Sequence, residues 1–230
     1  MYINYKPVAI FWRILIAVLG SIAFVNNSQL ISGNMVFPVQ RFEYDIGLLT
    51  ALYYIVLSFW QLADTQNQKT SIWMNFKYTL MMDLCFAFFV GLVVIHKGHL
   101  PDDDESVSNY LLSNFNVYIL PFLVLIDWLL FDNKGGLKNI LIVIACIPIW
   151  LYAVATYIIM AIGNIPGFYT YPYFFMSLKD GNTAVNLSLL FTMQILFIVL
   201  CYLFILIDKI PSFFLGIASK FKKAEGEGGG

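Results

Sequence analysis

Charge is scarce in this sequence. Only 12% of the 230 residues are Asp, Glu, Lys or Arg, against about 25% in an average soluble domain. The formal net charge is −1, so the chain lacks the basic field that nucleic-acid binding requires. We therefore expect no nucleic-acid partner.

Cysteine and histidine are also rare. Cys85, Cys146 and Cys201 lie in separate apolar runs without CxxC or CxxH spacing, which argues against a disulfide framework and a zinc site. His96 and His99 are the only histidines. They are weak candidates for metal ligands, because two histidines in a short polar loop are more often solvated. We predict no metal site and no cofactor.

Catalytic motifs are missing as well. The sequence contains no GxSxG, no HExxH and no glycine-rich phosphate loop, so the common hydrolase and nucleotide-binding signatures are absent. The last apolar run has no lysine at its middle, which excludes retinal-type photochemistry.

Apolar residues are abundant instead. Hydrophobic residues make up 60% of the chain and aromatics 17%, more than the interior of a soluble domain of this size can bury. Six runs approach the roughly 20 residues that a transmembrane helix needs. They cover 7–25, 45–62, 78–95, 110–131, 140–161 and 184–207. The predicted fold is all-α: a polytopic membrane protein with six transmembrane helices.

The distribution of Lys and Arg predicts its orientation. With the N-terminus inside, ten of the 13 basic residues fall on the cytoplasmic side and three in the outer loops. Basic residues concentrate on the cytoplasmic side of membrane proteins. Both termini are therefore predicted to be cytoplasmic.

The C-terminal part divides into two predicted segments after a transmembrane domain at 1–209. Residues 210–223 place aromatic and aliphatic side chains on one helical face and lysines toward the other, as in an interfacial helix on the anionic inner leaflet. Residues 224–230 are rich in Gly and Glu and are predicted to form a flexible tail.

Two carboxylates are predicted to lie near the inner end of the bundle. Asp83 is about one and a half turns into the third span if that span begins near Tyr78, and Asp127 is about one turn from the end of the fourth. The long side chains of Arg13 and Lys77 can reach this depth. We predict structural ion pairing among these four residues. The alternative, a proton or cation relay, would need further acids at mid-membrane.

A second polar layer is predicted at the outer end. Asn116 and Asn186 stand near the outer ends of the fourth and sixth spans, Gln194 lies deeper, and Tyr171 and Tyr173 occur in the last outer loop. Amides are costly in hydrocarbon unless they find partners or a wet cavity. These residues predict a ligand pocket open to the outer leaflet, and interhelical hydrogen bonding explains them equally well.

The second half of the chain carries a set of motifs in a recognisable order. They are Asp-Trp-Leu-Leu-Phe at 127–131 after Pro121, Gly-Leu-Lys at 136–138, Pro148 and Trp150, Tyr-Pro-Tyr at 171–173 with Phe175, Ala-Val-Asn-Leu at 184–187 and Leu-Ile-Asp-Lys at 206–209. This pattern resembles an uncharacterised bacterial family of six-span membrane proteins. That family is distantly similar to the androgen-induced-gene type transmembrane hydrolases of fatty-acid esters. The resemblance implies a bacterial plasma-membrane location.

The hydrolases use an intramembrane threonine nucleophile and a histidine. In the register that the resemblance implies, the threonine position falls on Ile46 and the histidine position on Val117. Thr50 lies one turn further on, without an intramembrane histidine to activate it. The resemblance therefore implies the fold and the pocket of the hydrolases without their catalytic pair.

Three functions fit these observations. The first is a membrane-embedded lipid-binding or lipid-modifying protein, with membrane lipids as partners and the pocket open to the outer leaflet. The second is an interaction protein, such as an immunity factor, a peptide or toxin receptor or a partner subunit. It would use the acidic loop at 102–105 and the aromatic loop at 168–175, since exposed aromatics beside charges suit recognition of another protein. The third, a small permease, is least favoured.

Overall fold

The computed structural model describes residues 6–27, 42–63, 71–92, 114–162, 173, 176 and 183–227, with side chains described except at 71–73 and 211–227. This part of the chain is all-helical and contains no strand. In chain order the helices are α1 (Lys6–Asn27), α2 (Phe42–Ala63), α3 (Ser71–Val90), α4 (Phe115–Tyr118), α5 (Leu120–Phe131), α6 (Ile140–Ile162) and α7 (Thr183–Glu227).

Four of the described helices are long and apolar enough to cross a membrane: α1, α2, α6 and the Thr183–Ile210 part of α7. Large apolar side chains such as Val143, Leu151 and Phe191 point outward from α6 and α7, as expected where lipid is the solvent. The all-α, multi-pass membrane fold is thereby confirmed. The α4–α5 stretch is a shorter apolar helix, and α3 is not among the four. The count of six spans stays a prediction.

Helix α3 is the central element of the bundle. It packs against α2, α4, α5, α6 and α7, and Met81, Met82 and Leu84 are completely buried. The third span is predicted to begin near residue 78, whereas α3 begins at Ser71. The helix therefore begins seven residues before the predicted start of the span, and the start of the span itself stays a prediction.

A break separates α4 from α5 at Ile119. Pro121 has no N–H to donate to the carbonyl of Val117, so the helical hydrogen-bond ladder is interrupted there. The proline then sits in the first turn of α5, where its missing donor costs nothing. Pro121 therefore accounts for the break between α4 and α5.

The connection between α5 and α6 is tied to α7. The Oδ2 atom of Asp208 on α7 accepts hydrogen bonds from the backbone N–H groups of Gly135 and Leu137, both at 2.9 Å. Gly135 has a φ of +87°, a left-handed conformation that glycine adopts without steric cost. Asp208 thus fixes the α5–α6 loop against α7.

Helix α7 continues through Pro211 to Glu227. Pro211 is predicted to lie in a connection, and it lies inside the helix instead. The amphipathic pattern at 210–223 depends on side chains outside the described part. The division into 1–209, 210–223 and 224–230 therefore stays a prediction.

Candidate functional site

A cavity of about 350 Å³ lies between α3, α6 and α7, with the first turn of α2 at one end. Its wall is mostly aromatic and aliphatic. The lining residues include Phe86, Ala87 and Val90 on α3, Ile149, Trp150, Tyr152, Ala153 and Tyr157 on α6, and Leu187, Phe191 and Gln194 on α7. This volume falls within the range of small-molecule sites, about 300–1,000 Å³.

The cavity reaches the lipid-facing surface between α6 and α7. Trp150 and Phe191 both line it and are 54% and 66% exposed. Leu187 is also exposed on the same side. A ligand dissolved in the bilayer could therefore enter sideways, without passing through water.

One end of the cavity is polar. The hydroxyl of Tyr173 donates a hydrogen bond to the Oε2 atom of Glu43 and accepts one from the backbone N–H of Phe42 at 3.1 Å. All three residues line the cavity. Burial, reinforced by the Glu43 charge, raises the pKa of the Tyr173 hydroxyl well above its ordinary value, so Tyr173 remains a donor. The Tyr173 hydroxyl thus holds the Glu43 carboxyl group in place, and a positioned carboxyl group can orient the headgroup of a ligand.

Gln194 marks the opposite end. Its side-chain amide donates to the Sγ atom of Cys146 at 3.3 Å. Sulfur is a weak acceptor, so a ligand carbonyl or hydroxyl would be a better partner for this amide. Gln194 was predicted as a pocket residue and does line the cavity.

The predicted outer pocket is only partly assembled by the fold. Tyr173 and Gln194 line the cavity, while Asn116 and Asn186 are absent from its described wall. Asn116 is fully buried and packs against Gly47, where an added Cβ would lie 2.8 Å from the Asn116 Cγ atom. The Asn116 amide thus faces α2, on another side of the bundle. Tyr171, His96 and His99 lie outside the described residues.

A buried ion network occupies the end of the bundle that is predicted to be the inner one. Arg13 donates through Nε to Asp127 at 3.1 Å and through a terminal nitrogen to Asp132 at 3.1 Å. Lys77 pairs with Asp127 and with Asp132, the latter at 2.6 Å. The hydroxyl of Tyr54 donates to Asp127 at 3.0 Å. Two cations and two carboxylates therefore neutralise each other between α1, α2, α3 and α5.

The network contains three of the four residues predicted to form it. Asp83 is not a member: it is completely buried, and neither carboxyl oxygen has a hydrogen-bond partner among the described residues. It lies 12 residues after the start of α3, about 18 Å along the axis. This position near mid-helix separates it from the inner end. Asp132 takes its place because the chain turns back beside Arg13 after α5.

Most of the cavity wall was missed by sequence reasoning. Glu43 belongs to the first turn of α2. Tyr152 and Phe86 are aromatic residues within apolar runs, like many others in this chain. The spacing of Ile149, Ala153 and Tyr157 places them on one face of α6. The same spacing is typical of any packed helix, so it could not have identified a cavity. The three cysteines form no disulfide, and the described residues contain no group of ligands suited to a metal.

Comparison with known proteins gives two distant matches. The chain is 26% identical over 108 residues to the inner membrane-spanning protein YciB of Methylobacillus flagellatus, covering 46% of this chain and 60% of that protein. It is 28% identical over 111 residues to the YciB of Ralstonia pickettii, covering 47% and 58%. The aligned part thus spans less than two thirds of these relatives. No family model matches, and no solved structure does.

These matches relate the chain to bacterial membrane proteins. They give no support to the resemblance to androgen-induced-gene type hydrolases. That resemblance therefore contributes nothing further to the functional argument.

Proposed function

We propose that this protein is a multi-pass protein of the bacterial inner membrane that binds an amphiphilic lipid in the cavity between α3, α6 and α7. The observation that carries the proposal is the cavity itself. It is apolar along its length, polar where Glu43 and Tyr173 meet, and bordered on the bilayer side by Trp150 and Phe191. The names of the two relatives support the location.

The predicted orientation of the chain in the membrane favours a ligand from the outer leaflet. With both termini in the cytoplasm, as the Lys and Arg distribution predicts, the Glu43–Tyr173 end faces outward. Acyl or aryl groups would pack against Phe86 and Tyr157, and the headgroup would meet the carboxylate and the phenol. We propose binding alone, with no catalytic step.

Filling the cavity tests the proposal. Ala153 lines the cavity, whereas its neighbour Val154 is 50% exposed on the lipid-facing side. We expect Ala153→Phe to weaken lipid binding at least about tenfold, equivalent to roughly 1.4 kcal/mol. Val154→Phe should bind as the wild type does. Binding is measured by native mass spectrometry of co-purified lipid and by the thermal shift on adding acyl lipids.

Three results would count against the proposal. They are a wild-type protein free of lipid, a protein without any thermal shift, and equal binding by the two phenylalanine variants. Recovery of a stoichiometric protein partner in place of lipid would favour an interaction protein.

A further inference from the structure

Asp83 has an unusual environment for a carboxyl group. It is 0% exposed at the middle of α3, and it forms no hydrogen bond or ion pair with the described residues. An ionised carboxylate without a partner is very costly away from water. Either a proton or a nearby cation removes that cost.

The fold places Asp83 just beneath the cavity. Phe86, Ala87 and Val90 line the cavity from α3, and Asp83 lies on the same helical face one turn further in. The thiols of Cys146 on α6 and Cys201 on α7 lie within electrostatic range of the Asp83 carboxyl.

Gln194 connects this layer to the cavity. Its side chain lines the cavity and donates to Cys146, the thiol that Asp83 influences. Asp83 itself lies one helical turn from Phe86 and Ala87, which line the cavity. In a medium of low dielectric constant, a charge at this end of the cavity would interact strongly with a carboxyl group one turn away.

The two buried cations of the described residues are not available to Asp83. Arg13 and Lys77 are both engaged by Asp127 and Asp132 at the inner end, where the charges already balance. The facing groups on α6 and α7 are the two thiols, and thiols ordinarily titrate above neutral pH. On α2 and α5, Tyr54 and Asp127 belong to the inner network. Asp83 therefore has neither a hydrogen-bond donor nor a paired cation among the described residues.

The cavity wall suits a cation that carries aromatic or aliphatic groups. Phe86, Trp150, Tyr152 and Tyr157 surround the space above Asp83, and aromatic faces attract cations, most strongly when both are desolvated. The described lining contains no lysine or arginine that would repel one.

We propose that the inner end of the cavity binds a lipophilic organic cation in exchange for one proton from Asp83. The neutral carboxyl loses its proton to the solvent, the cation enters from the bilayer, and the net charge of the site stays unchanged. This proposal rests on the proposed function, since it requires a cavity that admits ligands. It adds that the ligand carries a positive charge.

Two probes of similar shape separate charge from shape. Tetraphenylphosphonium carries a positive charge, and triphenylphosphine oxide is neutral. Binding to the full chain in a non-ionic detergent is measured by calorimetry between pH 5.5 and 8.5. Proton release is followed with an indicator dye in weak buffer. Asp83→Asn removes the charge with little change of shape, and Asp103→Asn in the predicted outer loop is the control.

We expect the wild type to bind tetraphenylphosphonium more tightly as pH rises, with about one proton released per bound cation. Asp83→Asn should weaken cation binding at least about tenfold, a change of roughly 1.4 kcal/mol in binding free energy, and abolish proton release. Asp103→Asn should retain both properties. Triphenylphosphine oxide should bind wild type and Asp83→Asn alike, with no dependence on pH, and Ala153→Phe should lose both probes.

Equal affinity of wild type and Asp83→Asn for the cation would overturn the proposal. So would cation binding by the wild type without proton release, which decides the question even if the variant does not fold. Lipid or the neutral probe could bind while cation binding neither depends on Asp83 nor releases a proton. In that case the proposed lipid site stands and this inference fails. If Ala153→Phe binds every ligand as the wild type does, the proposed function fails too.

Discussion

The ion network at the inner end allows a sharp prediction for Asp127→Asn. Asp127 accepts hydrogen bonds from Arg13 Nε at 3.1 Å and from the Tyr54 hydroxyl at 3.0 Å, and it forms an ion pair with Lys77. The wild-type network contains two cations and two carboxylates and is neutral. The substitution keeps the shape of the side chain and leaves one positive charge uncompensated among Arg13, Lys77 and Asp132.

The size of the effect follows from burial. Arg13 is 5% exposed, Lys77 3% and Asp127 0%, so solvent cannot screen the surplus charge. Removing one partner of a buried ion pair typically costs about 3–5 kcal/mol. We expect a loss of this size in the free energy of unfolding of Asp127→Asn.

A second substitution separates charge balance from lost hydrogen bonds. Asp127→Asn/Lys77→Met returns the network to neutrality, with Arg13 facing Asp132. Because replacing both members of a buried pair is often nearly neutral, the double variant should recover at least half of the loss. Lys138→Met, at an exposed position, should change stability by less than about 0.5 kcal/mol.

Unfolding is followed by circular dichroism during titration of the detergent-solubilised protein with sodium dodecyl sulfate. If Asp127→Asn unfolds at the wild-type concentration, the buried pairs do not stabilise the fold. If the double variant is less stable than the single one, the loss comes from the hydrogen bonds and not from unbalanced charge.

Two further predictions concern close packing and pH. Gly47→Ala should lose about 1–3 kcal/mol of stability, because its Cβ would lie 2.8 Å from the Cγ of fully buried Asn116. Gly136→Ala should keep the wild-type stability, because the nearest atom to its added Cβ is 3.7 Å away. The double variant Gly47→Ala/Asn116→Ala should recover stability in the same unfolding assay. Burial lowers the pKa of Lys134, in the α5–α6 connection, from 10.5 to about 8. The unfolded chain therefore binds more protons between these values, and wild-type stability should rise with pH across that window, by about 1 kcal/mol since the group is half-exposed. A pH series with Lys134→Met should show no such rise, and an identical rise in the variant would refute the assignment.

The class of fold could be read from composition because a bilayer constrains composition strongly. Apolar runs near 20 residues recur, and α1, α2 and α6 begin and end within three residues of the predicted bounds. The break before Pro121 is likewise a local effect, since the missing N–H is a property of that one residue. The start of α3 could not be predicted in this way. Its inner turns contain Lys77, and hydropathy treats a lysine shielded by protein as if it faced lipid.

Pairing among the polar residues required the tertiary structure. The sequence by itself determined that Arg13, Lys77 and Asp127 are charged residues near one end of apolar runs, and that few other charges exist to pair with them. Only the fold decided that Asp132 completes their network and that Asp83 is excluded from it. Likewise, Gln194 and Tyr173 border one cavity while Asn116 faces α2 at Gly47. The physical reason is that hydropathy and helical period locate a residue along a span, whereas its neighbours depend on how the helices rotate and pack around α3.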